Sequence, residues 1–262
     1  MSIAKSYQLH AQNNVPIGSG PLYSSSDVDG DGDEDIINCN ADWNTYEKDE
    51  HLVWYENPGS DSAAQKAEWK RHVIYEGSEF YSKPSVAVGD LDGDGLVDIC
   101  VPTTDEIFYF RKTGLNPVKW DKITIPKDEK ARWRQRPLEM VDLNADGKMD
   151  LVGMLIHGNN KPRIGPLPPN KAAVYLMTYA GKQPAADNWS THVIKWGDVT
   201  TMRGKTYRGE KWDHCRFADV DRDGDLDIVA NCEEHYDNKK NTIIGVVWFE
   251  NPGNKSVESG KK

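Results

Sequence analysis

The feature that most constrains this sequence is an acidic segment that recurs four times with the same internal spacing. Each copy follows the pattern Asp-x-Asp/Asn-x-Asp-Gly-x-x-Asp, with side-chain oxygens at positions 1, 3, 5 and 9 and glycine at position 6. The copies begin at Asp27, Asp90, Asp142 and Asp219, so they are distributed along nearly the whole chain of 262 residues. Internal periods of this length are typical of repeat architectures, in which each repeat forms one supersecondary unit.

Short runs of strand-forming residues flank the acidic segments and predict four strands in each repeat. An alternating run precedes the segment, and a β-branched run such as 99–101 follows it. A third, aromatic run ends at glycine, as in 53–59 and 247–253, and a fourth begins with Trp, as in 69–74 and 189–194. This order of strands predicts an all-β fold, a four-bladed β-propeller built from four-stranded antiparallel blades.

The last repeat has no fourth strand after Gly253, and the N-terminus contains a candidate for it. Tyr7 and His10 have the same spacing as Trp69 and His72. The N-terminal strand is therefore expected to complete the last blade and to close the ring, which removes exposed strand edges. The alternative is an open four-blade unit that pairs with a second copy into an eight-blade ring.

The whole chain is expected to form a single propeller domain over residues 1–262. Its blades are predicted at about residues 20–75, 80–126, 135–195 and 212–253, the last completed by residues 5–12. The tryptophans that recur in the strand runs are expected to be core residues; they are Trp54, Trp69, Trp120, Trp189 and Trp248.

Composition limits the classes of function. The chain has 32 Lys and Arg against 42 Asp and Glu, a net charge of −10, and no continuous basic stripe, which disfavours nucleic-acid binding. No run approaches the roughly 18 apolar residues of a membrane helix, and the first residues lack the apolar stretch of a signal peptide. The four cysteines fit no metal-binding spacing and are expected to be free and buried.

The acidic segments are predicted to be loops that bind up to four structural Ca²⁺ ions. Side-chain oxygens at positions 1, 3, 5 and 9, with the backbone carbonyl of position 7, are the hard donors that Ca²⁺ prefers. Metal-free Asp/Gly turns are the alternative, but crowded carboxylates would repel one another without a cation. The predicted ligand positions are Asp27, Asp29, Asp31, Asp33 and Asp35; Asp90, Asp92, Asp94, Leu96 and Asp98; Asp142, Asn144, Asp146, Lys148 and Asp150; and Asp219, Asp221, Asp223, Asp225 and Asp227. The third loop has one carboxylate fewer and is expected to bind most weakly.

Acidic loops between two strands of a blade closely resemble the FG-GAP/VCBS repeats of integrin α-subunit propellers and of secreted bacterial propellers. The phrases Trp-Tyr/Phe-Glu-Asn-Pro-Gly and Trp-x-x-His-Val-Ile are most similar to the bacterial and fungal branch, which includes aldos-2-ulose dehydratase, some polysaccharide lyases and fungal lectins. The resemblance implies structural calcium on one face and a ligand on the opposite face. It also implies a secreted or periplasmic location, with the leader absent from this chain.

The face opposite the acidic loops is expected to carry one asymmetric site, because the loops there differ between blades in length and content. The candidate catalytic residues are His214, His157, His235, Tyr207 and Arg136. The candidate substrate-binding residues are Arg132, Trp133, Arg134, Lys83, Arg208, Lys211, Trp212, Asp42, Asp105 and Glu234. His157 and His214, with either Glu234 or His235, are also a candidate set for Zn²⁺.

These residue types favour a carbon-oxygen lyase or dehydratase that acts on a uronate-type or keto sugar by β-elimination. Arg134 or Arg136 would stabilise the enolate. His214 or Tyr207 would take the proton, and His157 or His235 would protonate the leaving group. The alternative is a propeller without chemistry that binds carbohydrate or protein. The expected partner is an anionic carbohydrate or a small sugar, with no nucleic acid and no membrane span, and a monomer is favoured.

Overall fold

The structure is a computed structural model that describes residues 23–39, 51–59, 68–77, 79–80, 85–103, 106–127, 135–155, 173–196, 201–202, 205–206, 210–235 and 242–253. Every regular element in these ranges is a β-strand. None of the described residues forms a helix long and apolar enough to cross a membrane.

The strands form four antiparallel sheets in chain order, with a small additional hairpin. The first sheet contains β1 (Tyr23–Ser26), β2 (Asp35–Cys39), β3 (His51–Glu56) and β4 (Lys70–Glu76). The second contains β5 (Ala87–Gly89), β6 (Asp98–Pro102), β7 (Glu106–Leu115) and β8 (Val118–Pro126). The third contains β9 (Gln135–Val141), β10 (Asp150–Leu155), β11 (Ala173–Tyr179) and β12 (Trp189–Trp196). The hairpin pairs β13 (Thr201–Met202) with β14 (Lys205–Thr206), and the fourth sheet contains β15 (Glu210–Ala218), β16 (Asp227–His235) and β17 (Thr242–Phe249).

The four sheets are the blades of a β-propeller, which confirms the predicted fold class. Within each blade, successive strands are hydrogen-bonded neighbours, so the chain runs from the inner strand outward. The inner strands of neighbouring blades contact one another, β1 with β5, β5 with β9 and β9 with β15. The fourth blade has three strands among the described residues. The N-terminal strand predicted to complete it lies outside them.

Apolar side chains on the facing surfaces of neighbouring blades form three separate cores. Trp54 of blade 1 packs with Phe108 of blade 2, and Tyr109 of blade 2 packs with Tyr175 of blade 3. The third core joins blades 3 and 4. Alternation along each strand explains this arrangement, because successive side chains of a radial sheet point to opposite neighbours. The predicted burial of the cysteines as free thiols is confirmed for Cys39, Cys100, Cys215 and Cys232.

Polar contacts also cross the junctions between blades. The Tyr179 hydroxyl donates to the Leu91 carbonyl at 3.1 Å, which joins blade 3 to the acidic loop of blade 2. The Asn251 amide donates to the Leu143 carbonyl at 2.8 Å and joins blade 4 to the loop of blade 3. Each acidic loop that receives such a bond is therefore held by its own blade and by the next one.

Candidate functional site

The first aspartate of every acidic loop organises the loop around its own carboxylate. Asp27 Oδ1 accepts the backbone N–H groups of Gly30 at 2.7 Å and Asp31 at 3.1 Å, and Oδ2 accepts that of Gly32 at 3.0 Å. The same bonds from positions 5 and 6 to the first aspartate recur in the other three loops. The spacing of the motif is thus a local folding signal as well as a ligand pattern.

Two positions in each loop have left-handed backbone conformations. Position 6 is glycine in all four loops, with φ between +84° and +102°, and glycine adopts such values without steric cost. Position 4 also has positive φ in every loop, although only two loops have glycine there. Ala145 has φ +55° and Arg222 has φ +66°. The hydrogen bonds of the loop hold these two residues in a region that L-residues rarely adopt.

The ninth aspartate of each loop is buried, and in blades 1, 2 and 4 it binds two backbone segments at once. Asp98 is fully buried; its Oδ2 accepts the Leu91 N–H at 3.1 Å and its Oδ1 the Lys112 N–H at 2.9 Å. The Tyr109 hydroxyl donates to Oδ2 as well, at 2.9 Å. The equivalent aspartates Asp35, Asp150 and Asp227 are each 1% exposed. Each accepts the N–H of loop position 2. Because a carboxylate oxygen has more than one acceptor site, these bonds leave room for contact with a cation.

Three of the four loops bring three carboxylates to within 4.8 Å of one another. These groups are Asp27, Asp29 and Asp31; Asp90, Asp92 and Asp94; and Asp219, Asp221 and Asp227. Burial and then the neighbouring carboxylates raise the pKa of Asp29 and Asp92. This donor set consists only of hard oxygens and concentrates negative charge, so it fits a hard divalent cation such as Ca²⁺.

Position 7, for which a carbonyl ligand is predicted, follows the same local pattern in all four loops. Its N–H donates to the carboxylate of position 5, at 2.8 Å between Leu96 and Asp94 and at 3.0 Å between Lys148 and Asp146. The third loop differs in its side chains. Lys148 Nζ lies 3.3 Å from Asp146 Oδ2, so a basic group already neutralises one of its acidic positions.

A cavity of about 580 Å³ lies where the inner strands of all four blades meet. Its lining comes from β1, β9 and β15, and from β5 with Ser85 and Val86 beside its start, and we call it the axial cavity. The residue two positions before each acidic loop contributes to it in every blade; these residues are Ser25, Val88, Met140 and Phe217. This volume lies within the range of small-molecule sites in proteins.

The polar groups of the axial cavity are unequal from blade to blade. Arg216 Nη1 lies 3.1 Å from Glu139 Oε1 and donates to the Cys215 carbonyl at 2.8 Å. Burial raises the pKa of Glu139, and the Arg216 guanidinium opposes that shift. At the position of Arg216 and Glu139, the other two inner strands have Ser24 and Ala87. The cavity therefore has one charged side, formed by blades 3 and 4.

Among the predicted catalytic residues, the structure places His214 in the axial cavity, where it is exposed. Its backbone N–H donates to Asn231 Oδ1 at 2.7 Å. Neither Glu139 nor Arg216 was predicted from the sequence, because both lie in strands where they read as ordinary alternating polar residues. Glu139 and Arg216 are 77 positions apart in the chain, and only the ring brings them together.

Trp212, a candidate substrate-binding residue in the sequence, is a core residue in the structure. It is 2% exposed and packs in the core between blades 3 and 4, with its ring 5.8 Å from that of Phe249. The reason is that β15 already begins at Glu210, so Trp212 follows the alternation of a strand and not the course of a loop. A shift of register between Trp212 and His214 then turns His214 toward the cavity.

The other predicted residues of this face are placed only by their backbone or lie outside the described residues. Arg136 lies on β9, Lys211 on β15, and Glu234 and His235 on β16. Outside the described residues lie Asp42, Lys83, Asp105, Arg132, Trp133, Arg134, His157, Tyr207 and Arg208. The set predicted for Zn²⁺ therefore stays a prediction.

The buried ninth aspartates predict an unusual pH dependence for the metal-free protein. Burial raises the pKa of Asp35, Asp98 and Asp150 to about 6, against the opposing effect of their N–H bonds. In the unfolded chain the pKa of such a carboxyl is about 3.9. The folded state therefore binds more protons between about pH 4 and 6. The free energy of unfolding contributed by these groups falls as pH rises through that range, on the order of 2 kcal/mol for each.

Urea unfolding in the presence of a chelator measures this effect. The midpoint is expected to be higher at pH 5 than at pH 7, and Asp35→Asn, which keeps the size of the side chain, should reduce the difference. A midpoint that rises from pH 5 to pH 7 by the same amount in both proteins would contradict the assignment.

Comparison with known families supports the reading of the repeats. Residues 27–101 match the FG-GAP-like repeat, a region that contains the first two acidic loops and the strands around them. No curated protein matches the chain. The matched repeat and the four-bladed architecture with one acidic loop in each blade agree with each other. The chain is a four-bladed β-propeller that contains an FG-GAP-like repeat over residues 27–101.

Proposed function

We propose that the acidic loops bind Ca²⁺ and that the ions stabilise the blades. FG-GAP repeats commonly bind calcium, and three loops bring carboxylates to within 4.8 Å of one another. Bound cations would relieve the repulsion between these carboxylates and favour their ionised form. Because each loop is also bonded to neighbouring strands, an ion that orders the loop would strengthen the junction between blades.

The loops are expected to differ in affinity. In the third loop Asn144 supplies a neutral oxygen, and Lys148 lies 3.3 Å from the Asp146 carboxylate. A cation that enters this loop must compete with the lysine ammonium for the same oxygen. We therefore propose that the third loop is the weakest calcium site.

Removal of calcium is predicted to destabilise the protein. A ligand that binds only the folded state contributes RT ln(1 + [L]/Kd) for each site, so a chelator should lower the melting temperature and added Ca²⁺ should restore it. Asp90→Asn should reduce the number of ions measured by calorimetry by one. Asp121→Asn, an exposed position on β8, is the matched control and should leave the number unchanged. A melting temperature that does not respond to chelator contradicts the proposal.

We further propose that the axial cavity binds one acidic carbohydrate. The observation that supports this proposal is that the cavity has a single charged side, formed by blades 3 and 4. Arg216 is held by Glu139, and its side chain is 76% exposed. Both hydrogen bonds that the structure gives it come from Nη1. A guanidinium has five N–H donors in a planar fork, which suits a carboxylate. The unequal inner strands favour one site on the axis over a set of equal sites in the blades.

Binding of a sugar carboxylate is expected to depend on Arg216. Arg216→Gln should weaken the binding of an oligogalacturonate about tenfold or more, since a hydrogen bond to a charged group contributes roughly 1.5 to 3 kcal/mol. The measurement is isothermal titration calorimetry. Arg71→Gln, an exposed position on the outer strand β4, is the matched control. Equal affinity for the carboxyl-reduced sugar would overturn the assignment of the ligand.

A lyase reaction at the same site is the second candidate, and the position of His214 favours it. In β-elimination from a uronate, the imidazole takes the proton from the carbon next to the carboxylate, and the bond to the leaving oxygen breaks as the double bond forms. The leaving oxygen gains a proton from a general acid or from water. Arg216 would stabilise the negative charge that develops on the carboxylate. His214 and Arg216 line one cavity, as this reaction requires.

The lyase reading predicts that His214→Ala abolishes turnover and leaves ligand binding nearly unchanged. The measurement is the ultraviolet absorbance of the unsaturated uronate during incubation with a panel of uronate polysaccharides. His192→Ala, an exposed histidine on the outer strand β12, is the matched control and should keep full activity. Binding without absorbance change on any polysaccharide would leave the protein as a carbohydrate-binding propeller.

A further inference from the structure

A second cleft lies at the junction of blades 1 and 2, beside the first acidic loop. Its volume is about 510 Å³, which is within the range of ligand sites in proteins. Blade 1 contributes part of its acidic loop with the adjoining ends of β3 and β4, and blade 2 contributes the β7–β8 turn and Trp120. We call this space the junction cleft. It shares no lining residue with the axial cavity.

The length of one connection explains why the space is open at this junction. Two residues join β7 to β8, whereas nine residues join β11 to β12 in blade 3. The longer connection packs on the acidic loop of blade 2, where Gln183 Nε2 donates to the Asp92 carbonyl at 2.9 Å. The short turn of blade 2 packs on the first acidic loop through Leu115, whose Cδ2 would lie 3.3 Å from a Cβ added to Gly30. The junction cleft is the space left between this turn and β4.

Glu56 offers an acceptor oxygen to the junction cleft. His72 Nε2 lies 2.7 Å and Lys70 Nζ 3.5 Å from Glu56, and both contacts are with Oε2. Within the described part of the chain no donor contacts Oε1, and the side chain is 33% exposed. Burial raises the pKa of Glu56, but the contacts with His72 and Lys70 outweigh it and hold the pKa below its usual value. An ionised oxygen is therefore available to a donor that enters the cleft.

The charge around the junction cleft is negative. Six acidic residues lie between Asp27 and Asp35, and two of them, Asp29 and Asp31, line the cleft. One Ca²⁺ and the buried Lys112, whose ammonium interacts with Asp27 and Asp29, would together supply three positive charges against these six negative ones. The loop would thus keep an excess of negative charge with calcium bound, and this excess favours a cationic ligand.

Aromatic rings give the junction cleft a surface on which a flat cation can stack. Trp54 and Trp120 line it. The same junction already holds one cation in this way, because Lys122 Nζ lies 3.5 Å from the centre of the Phe108 ring and 4.3 Å from that of Tyr75. Trp120 stands two residues before Lys122 on β8, so both side chains face blade 1. No cation of the described residues lies over the Trp120 ring, and a ligand could supply one.

We propose that the junction cleft binds the arginine side chain of a partner polypeptide. The guanidinium would stack on Trp120 and donate to Glu56 Oε1, which suits its planar set of donors. The rim of the cleft favours a polypeptide over a small free cation. Val73 and Leu115 line the cleft and are 42% and 41% exposed, so an apolar residue beside the arginine would cover them. This inference does not depend on the ligand of the axial cavity.

A chemical-shift titration of the ¹⁵N-labelled full chain in excess Ca²⁺ tests the proposal. The probe is acetyl-Leu-Arg-Leu-amide, and the matched peptide has citrulline in place of arginine, which keeps the shape of the side chain and removes its charge. The arginine peptide should bind at least about tenfold more tightly, since a hydrogen bond between charged groups is lost with citrulline. The indole signal of Trp120 should shift, whereas that of Trp189, at the junction of blades 2 and 3, should stay in place.

Two variants locate the binding. Glu56→Gln should weaken the binding of the arginine peptide about tenfold, because it removes the charged acceptor. Asp121→Asn is the matched control, since it removes one negative charge at an exposed position of β8 outside the cleft, and it should leave the affinity unchanged.

Four outcomes would overturn the proposal. Equal affinity of the two peptides would exclude recognition of the charge, and equal effects of the two variants would place the peptide elsewhere. Absence of any shift at about 1 mM peptide would exclude binding of useful strength. Displacement of the peptide by a neutral oligosaccharide, or equally tight binding of N-acetylargininamide, would assign the cleft to a sugar or to a small guanidinium compound instead of a polypeptide.

Discussion

The structure depends on one buried carboxylate in each blade, that of the ninth aspartate of the acidic loop. The ninth aspartate stands at the start of the second strand and accepts the N–H of loop position 2. In blades 1 and 4 it also accepts a backbone N–H just beyond the third strand, and in blade 2 one from within that strand. Asp35, for example, accepts the Val28 N–H at 2.9 Å and the Asn57 N–H at 2.8 Å. Removing a carboxylate from water is costly, and backbone N–H bonds offset the cost by favouring its charged form. The acidic loop and the strands of its blade are therefore fixed by the same side chain.

The same loops connect each blade to the next one. Loop position 2 is apolar and is buried in the first three loops, where Val28, Leu91 and Leu143 are 0%, 1% and 7% exposed. Its carbonyl accepts the bond from the following blade at the two junctions where Tyr179 and Asn251 reach it. The loop that concentrates negative charge on its exposed side thus contributes to the apolar core on its other side. Order in the loop and packing between blades are consequently coupled, which is the physical reason to expect a bound cation to stabilise the whole ring.

The repeated parts of the fold could be predicted from the sequence because the same local physics recurs in every blade. The spacing of aspartates and glycines, followed by β-branched and aromatic runs, predicts the strands, the blades and the acidic loops. Trp212 could not be placed correctly, since its burial follows from where β15 begins and from the register shift that comes after it. The pairing of Glu139 with Arg216 could not be predicted either. It joins the inner strands of the neighbouring blades 3 and 4 and leaves no local pattern in the sequence.

The contrast between the loops and the inner strands bears on function. The loops carry nearly the same residues in all four blades, because each must form the same hydrogen bonds. On the inner strands, the equivalent positions are Ser24, Ala87, Glu139 and Arg216, which differ in size, polarity and charge. A ring that needed only to pack could use similar small residues around its axis. Glu139 and Arg216 lie on one side of the cavity, and His214 also lines it. These residues make the cavity asymmetric, although the blades around it repeat. That asymmetry is the physical basis for the proposed single site on the axis, whereas the repeated loops order each blade and, at two junctions, join it to the next.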